Sequence, residues 1–202
     1  MIGYASRTGT RANLDALRAA GWRLLFTPSE PRTPPAGWAY ALDNGAWTAH
    51  TRGQPFDGDA FSRAVDRIGR GADWIVIPDC VADRARSLEM AAEWTPRLRG
   101  VAPLMLAIQD GMSREDVAPW LAEGVGLFLG GSTAYKLASC RGWGAIARDA
   151  GVPFHVARVN SARRAARARE AGATSIDGSG PSRFRDALRR IERGVRQESF
   201  VW

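Results

Sequence analysis

Eight short apolar runs alternate with segments of helical periodicity along the whole chain of 202 residues. The first run is Ile2–Ser6 and the last is Ser175–Ile176, and no linker or change of composition separates them. Alternating strands and helices are typical of a parallel sheet covered by helices. Eight such units predict an α/β fold, a compact (β/α)8 TIM-type barrel with residues 1–202 as a single domain. A doubly wound open sheet is the alternative.

Two helix boundaries in this pattern can be tested directly. The helix before the seventh strand is predicted to run from about Trp143 to Ala150. The last helix is predicted to carry an apolar stripe formed by Phe184, Leu188, Ile191 and Val195.

Charge and sulfur content limit the classes of function. The formal charge is +7, and Lys136 is the only lysine among 28 basic residues. An arginine-rich surface suits phosphate contacts, although a genome biased towards arginine would give the same composition. Two cysteines and two histidines provide neither a Cys-rich zinc site nor a disulfide framework. We therefore expect no metal and no cofactor.

The chain shows no sign of a membrane segment. No apolar run approaches the roughly 20 residues that cross a bilayer. The sequence starts in a strand-like segment, Met1-Ile2-Gly3-Tyr4, without a signal peptide. These features predict a cytoplasmic protein, or one in the host cytoplasm if a phage encodes it.

Three aspartates stand where apolar runs end. Asp43 follows Tyr40-Ala41-Leu42, Asp79 follows Trp74 to Pro78, and Asp177 follows Ser175-Ile176. Ligands of parallel α/β folds bind at the carboxyl ends of the strands. Each aspartate alone could be a turn or cap residue. Together they predict a site on one rim that moves protons and attacks an electrophile.

Other residues suited to a planar ligand follow the same strands. Trp47 offers a stacking face, Gln109 a hydrogen-bonding edge, and Gly130 and Gly131 exposed backbone. The alternatives are a core tryptophan, a surface glutamine and a tight turn. Similarly, Cys80 is interpreted as an inert thiol and His155 as a core histidine.

These segments resemble the tRNA-guanine transglycosylase superfamily, and within it most closely the small phage-type DpdA proteins. Asp43-Asn44-Gly45-Ala46-Trp47 is similar to the family's Asp-Ser-Gly-Gly-aromatic segment. Further similarities, in chain order, are Asp79, Ala107-Ile108-Gln109-Asp110-Gly111, Leu129-Gly130-Gly131 and Gly172 to Asp177. The resemblance extends over almost the whole chain.

The resemblance implies an enzyme that replaces guanine in DNA with a free 7-deazaguanine base. Asp177 would be the nucleophile that forms a covalent aspartyl-sugar intermediate, and Asp43 the acid/base group. The base would be bound by Asp79, Gln109, Gly130, Gly131 and Trp47.

Departures from the family pattern bear on the substrate. The tRNA enzymes carry a Cys-rich zinc subdomain that two cysteines could not build, which favours DNA over tRNA. Asn44 and Ala46 replace small residues of the first turn, and Arg158 stands where the family has glycine.

Three arginines near the strand ends are candidate DNA contacts: Arg158, Arg163 and Arg183. A solvated helix face is the ordinary explanation of the arginine-rich helices to which the last two belong. A barrel this small could also need a protein partner, or a second copy, to hold DNA. A nucleoside- or tRNA-level transglycosylase, an N-glycoside hydrolase and a catalytically silent DNA-binding barrel remain alternatives.

Overall fold

The computed structural model describes residues 1–6, 10–29 and 33–196. Within them, parallel strands form a closed barrel in the order β1-β2-β3-β4-β5-β6-β7-β8, with β8 paired to β1. The strands are β1 (Ile2–Ser6), β2 (Arg23–Phe26), β3 (Tyr40–Leu42), β4 (Ile75–Val76), β5 (Leu104–Ile108), β6 (Gly126–Leu129), β7 (Phe154–Val156) and β8 (Ser175–Asp177). The predicted (β/α)8 barrel is confirmed, and the open-sheet alternative is wrong.

Helices surround this barrel. They are α1 (Arg11–Ala19), α2 (Ala46–Thr51), α3 (Gly58–Ile68), α4 (Arg84–Leu98), α5 (Arg114–Ala122), α6 (Thr133–Asp149), α7 (Ala162–Glu170), α8 (Gly180–Arg183) and α9 (Arg185–Arg196), with a 3-10 turn at Gly69–Gly71. No helix among the described residues is long and apolar enough to span a membrane.

Two predicted features of the helices are wrong. Helix α6 begins ten residues earlier than Trp143, because the Ser132 side chain accepts a hydrogen bond from the Tyr135 amide and caps it. Glycine is required at position 144 of this helix, because a Cβ there would overlap the Ala171 carbonyl oxygen. Phe184 precedes α9 and is 65% exposed, whereas Leu188 is buried.

Alternation along the strands decides which side chains enter the barrel. On β5, Met105 and Ala107 belong to the inner cluster, and Gln109 continues the same parity at the strand end. Residues of the other parity, such as Leu106, pack under the helices. Because all eight strands are parallel, the residues after each strand lie at one rim, above an inner layer of aromatic rings.

That aromatic layer closes the barrel below the rim. The His155 ring stacks on Phe128 with centroids 4.7 Å apart and lies 4.9 Å from the Trp74 ring. Tyr4 contacts Trp74 edge-on at 5.0 Å, and its hydroxyl donates to Asp73. The rim residues therefore rest on a rigid floor of large rings.

Candidate active site

A cavity of about 580 Å³ opens at the carboxyl ends of the strands. Its size falls in the range usual for small-molecule sites. Nine of the ten candidate residues line it: Asp43, Trp47, Asp79, Gln109, Gly130, Gly131, Arg158, Asp177 and Arg183. Arg163 is exposed on α7 and is not part of the lining, where Arg164 stands instead. A DNA contact by Arg163 outside the cavity stays a prediction.

Asp43 begins the loop between β3 and α2. Its Oδ1 accepts a hydrogen bond of 2.6 Å from the Gly45 amide, and Gly45 has a left-handed φ of 83°. Burial raises the pKa of Asp43 to about 7, and the charges of Asp177 and Asp79 act in the same direction. The Gly45 hydrogen bond and the Arg158 charge oppose the shift. A carboxyl with such a pKa can both donate and accept a proton near neutral pH.

Asp79 is held by two side-chain amides on the floor of the cavity. Asn44 Nδ2 donates to its Oδ1 and Gln109 Nε2 donates to its Oδ2, both at 2.6 Å. Burial raises its pKa to about 6 against the opposing effect of these hydrogen bonds. In the sequence, Asn44 was noted only as a departure from a family motif. Its position directly after the strand-end residue Asp43 was the available signal that its amide could also face the site.

Both the oxygen and the nitrogen of the Gln109 side-chain amide form hydrogen bonds. Its Oε1 accepts from the Ala82 amide at 3.0 Å, while its Nε2 binds Asp79. A Cβ on Gly130 would lie only 2.8 Å from Gln109 Nε2, so glycine is needed there for this contact. Gly131 has a left-handed φ of 70° and would overlap Asp110 if it carried a Cβ. Edge recognition by Asp79 and Gln109 stays a prediction, because the two residues bind each other here.

Asp177 ends β8, where two donors converge on one of its oxygens. His155 Nε2 lies 3.0 Å and the Arg158 amide 3.1 Å from Oδ1. On its other side, His155 Nδ1 lies 2.8 Å from Ser175 Oγ. The Ser175 hydroxyl can donate to Nδ1 when Nε2 carries the proton that faces Asp177. Among the described residues Oδ2 has no donor, so it is the oxygen left for a ligand.

His155 is a core histidine, as interpreted from the sequence, but it also orients a site residue. It is completely buried and stacked on Phe128. His155 and Ser175 lie at partner positions of the adjacent parallel strands β7 and β8. Because this pairing is known only from the register of the barrel, the sequence alone did not show that His155 orients Asp177.

Arg158 crosses the mouth of the cavity. Its guanidinium lies 3.6 Å from the centre of a Trp47 ring and donates to the Gly131 carbonyl oxygen. Its own φ is 58°, a left-handed conformation, and β7 ends two residues before it. Trp47 is 42% exposed at the lip of the cavity and is not a core residue. A planar ligand could use the covered face of Trp47 only after Arg158 moves.

The described residues contain no cluster of three or more His, Cys, Asp or Glu side chains arranged to hold a metal ion. Cys80 is partly buried and does not line the cavity. Burial raises the pKa of its thiol, which makes the thiolate scarce at neutral pH.

Comparisons with known proteins bear on the fold alone. No family model matches the chain, and no curated protein matches its sequence. A structure titled "Native KDPGal structure" aligns at a TM-score of 0.54 and 12% identity, covering 96% of this chain and 90% of the other. RipC from Yersinia pestis aligns at 0.58 and 12%, covering 98% and 96%. The chain is thus similar to these barrels in fold over nearly its whole length.

The resemblance to the tRNA-guanine transglycosylase superfamily is therefore wrong as an assignment of family. The two similar structures share the barrel fold with this chain and give no sign of a relationship to the transglycosylases. The five matched segments all lie at strand ends, where any barrel of this type presents aspartates and glycines. Roles for the rim residues must rest on their own geometry.

Proposed function

We propose that this protein is an enzyme that breaks the N-glycosidic bond of a nucleotide unit through a covalent aspartyl-sugar intermediate. The observation that carries the proposal is the unequal environment of two carboxyls on one cavity. Asp177 accepts two hydrogen bonds at Oδ1, which leaves Oδ2 for a ligand, whereas burial raises the pKa of Asp43 to about 7. One carboxyl suited to attack and one suited to proton transfer are what retaining glycoside chemistry uses.

The steps follow from these two residues. Asp177 Oδ2 attacks the anomeric carbon, and the bond to the base nitrogen breaks with its electron pair moving to the base. Protonated Asp43 gives its proton to the leaving base. In the second step an incoming base loses its N–H proton to Asp43, its nitrogen attacks the anomeric carbon, and the bond to Asp177 breaks. Water in place of the incoming base would give hydrolysis.

Cationic and polar side chains beside the carboxyls support a phosphate-bearing substrate. Arg164, Arg183, Asn160 and Ser179 line the same cavity on the side of β7 and β8. Neither Arg164 nor Arg183 has an acidic partner in the described part of the chain. The guanidinium fork binds phosphate oxygens in a bidentate manner.

The narrowest form of the proposal is the replacement of guanine in DNA with a 7-deazaguanine. The formal charge of +7 supports a polyanionic partner. Once Arg158 moves off Trp47 and Gln109 releases Asp79, a stacking face with two edge groups beside it would suit a purine-like base. A free nucleotide or RNA would satisfy the same residues, so the experiment must separate these substrates.

A lysine-dependent carbon–carbon lyase fits the cavity less well, although the similar folds include aldolase-type barrels. A Schiff base needs an amine that reaches the substrate carbonyl. The single lysine, Lys136, lies on α6, donates to the Ala157 carbonyl oxygen and is not among the lining residues.

Mass spectrometry of the products tests the proposal. Purified protein is incubated with a panel of 7-deazaguanines and with DNA, RNA or free nucleotides, and the nucleosides are then analysed. Deazaguanosine in DNA supports the narrowest form, whereas a modified RNA or nucleotide, or release of base alone, supports only the general one. Asp177→Asn is the matched control and should form no product. Absence of any product with the wild-type protein, or turnover by Asp177→Asn, would refute the mechanism.

A further inference from the structure

Lys136 is the only lysine in the chain, and it is buried directly behind the rim. It lies on α6, is 8% exposed, and its Nζ donates to the Ala157 carbonyl oxygen at 2.8 Å. Burial lowers its pKa to about 8. Burying an ammonium group costs free energy unless the group is paired or hydrogen-bonded. All the other Lys and Arg positions of the chain are arginine.

The carbonyl that Lys136 binds belongs to the peptide that contacts Asp177. Ala157 supplies the C=O of this peptide and Arg158 supplies its N–H, which donates to Asp177 Oδ1 at 3.1 Å. A cation at the oxygen of a peptide group polarises it and strengthens the N–H as a donor. One peptide thus links the Lys136 ammonium to the Asp177 carboxylate.

The same peptide adjoins a residue in an unfavourable conformation. Arg158 has a φ of 58°, a left-handed conformation that is unfavourable for a non-glycine residue. Such a conformation persists only where neighbouring contacts fix it. The Lys136 hydrogen bond fixes one end of the peptide, and the Arg158 side chain is fixed by Trp47 and Gly131 at the other.

We infer that Lys136 is a positioning residue, which orients and electrostatically supports Asp177 through the Ala157–Arg158 peptide. This inference rests on the proposed role of Asp177 as nucleophile. The charged groups that act on Lys136 come from several elements. They are Arg158 after β7, Arg164 on α7, Asp177 on β8 and Asp110 after β5.

The alternative is that Lys136 only fills space. Its stem lies beside Leu137, Cys140, Val156 and Ala168, which line a small cavity between α6 and α7. A purely packing role would be preserved by an uncharged side chain of similar length. Lys136→Met makes that change, and Arg167→Met, on the lining of the same small cavity, is its matched control.

The first test needs no substrate. The chain has two histidines, His50 and His155, and Nε2 of His155 lies 3.0 Å from Asp177 Oδ1. Lys136→Met should shift the ring-proton NMR signal of His155, and the shift should be much smaller when the same change is made in Asp177→Asn. Arg167→Met should leave the signal in place. An unmoved signal, or the same displacement in both backgrounds, would overturn the link between Lys136 and Asp177.

The second test uses turnover. Lys136→Met should lower kcat about tenfold with KM within about twofold, because the change acts on the attacking carboxylate and not on binding. An unchanged kcat would overturn the inference whatever the NMR result. Wild-type protein without turnover would instead refute the proposed function and leave the NMR test intact.

Discussion

Replacement of Asp43 by asparagine should stabilise the protein at alkaline pH while it removes turnover. Burial raises the pKa of Asp43 from 3.8 to about 7, so the folded state holds this proton over a range in which the unfolded chain has released it. Stability contributed by this group therefore falls as pH rises through that range and stays low above pH 7 or so. Asparagine is neutral throughout and does not undergo this loss.

The magnitude follows from the size of the shift. About three pKa units at about 1.4 kcal/mol each give an upper value of about 4 kcal/mol. Asp43 is partly exposed on a water-accessible cavity, which reduces the cost, so we expect about 2 kcal/mol. The asparagine side chain can keep the hydrogen bond from the Gly45 amide with its carbonyl oxygen, so little is lost in exchange.

Denaturant unfolding at about pH 4.5 and about pH 8.5 measures the effect. The difference between Asp43→Asn and the wild-type protein should be small at the lower pH and grow by about 2 kcal/mol at the higher. Asp66→Asn, which changes an exposed carboxylate on α3, is the control and should show no such growth. A stability difference that does not depend on pH would refute the reasoning about Asp43, and normal turnover would refute its acid/base role.

Three further predictions concern the rest of the site. Gly130→Ala should destabilise the protein by about 1–3 kcal/mol in thermal unfolding, because the added Cβ would crowd Gln109. Gly142→Ala is the control, since a Cβ there meets open space, and equal effects of the two changes would refute the packing argument. Asp177→Ala should abolish turnover and leave DNA affinity within a few-fold, and residual turnover would remove its role as nucleophile. Arg183→Ala should reduce the salt slope of DNA binding by about one, and an equal reduction by Arg148→Ala, in the last turn of α6, would exclude a specific contact.

Sequence periodicity was sufficient for the fold and for most of the rim. A strand followed by a helix eight times allows few architectures, and parity along each strand then brings Asp43, Asp79 and Asp177 to one cavity. Trp47 was also placed correctly after β3, although the short helix that carries it was not predicted. Local pattern succeeds here because each residue follows its own strand directly.

The partners of these residues could not be predicted in the same way. Asn44 follows β3 and binds Asp79 after the neighbouring strand β4, and His155 contacts Asp177 through the register of β7 and β8. Lys136 acts from a helix whose start was misplaced. Contacts of this kind depend on tertiary geometry, which leaves no periodic trace in the sequence.

The same physics explains why five ordered motif matches did not identify a family. Any parallel barrel needs small or left-handed residues where its strands end, and acidic side chains are favoured there as turn and cap groups. The order of such segments is fixed by the order of the strands, so their matches are not independent observations. The more discriminating features are contacts that the fold does not demand. The Asp79 carboxylate held by two amides and the Lys136 ammonium behind the Asp177 peptide are of that kind, and the chemistry of this barrel is best tested there.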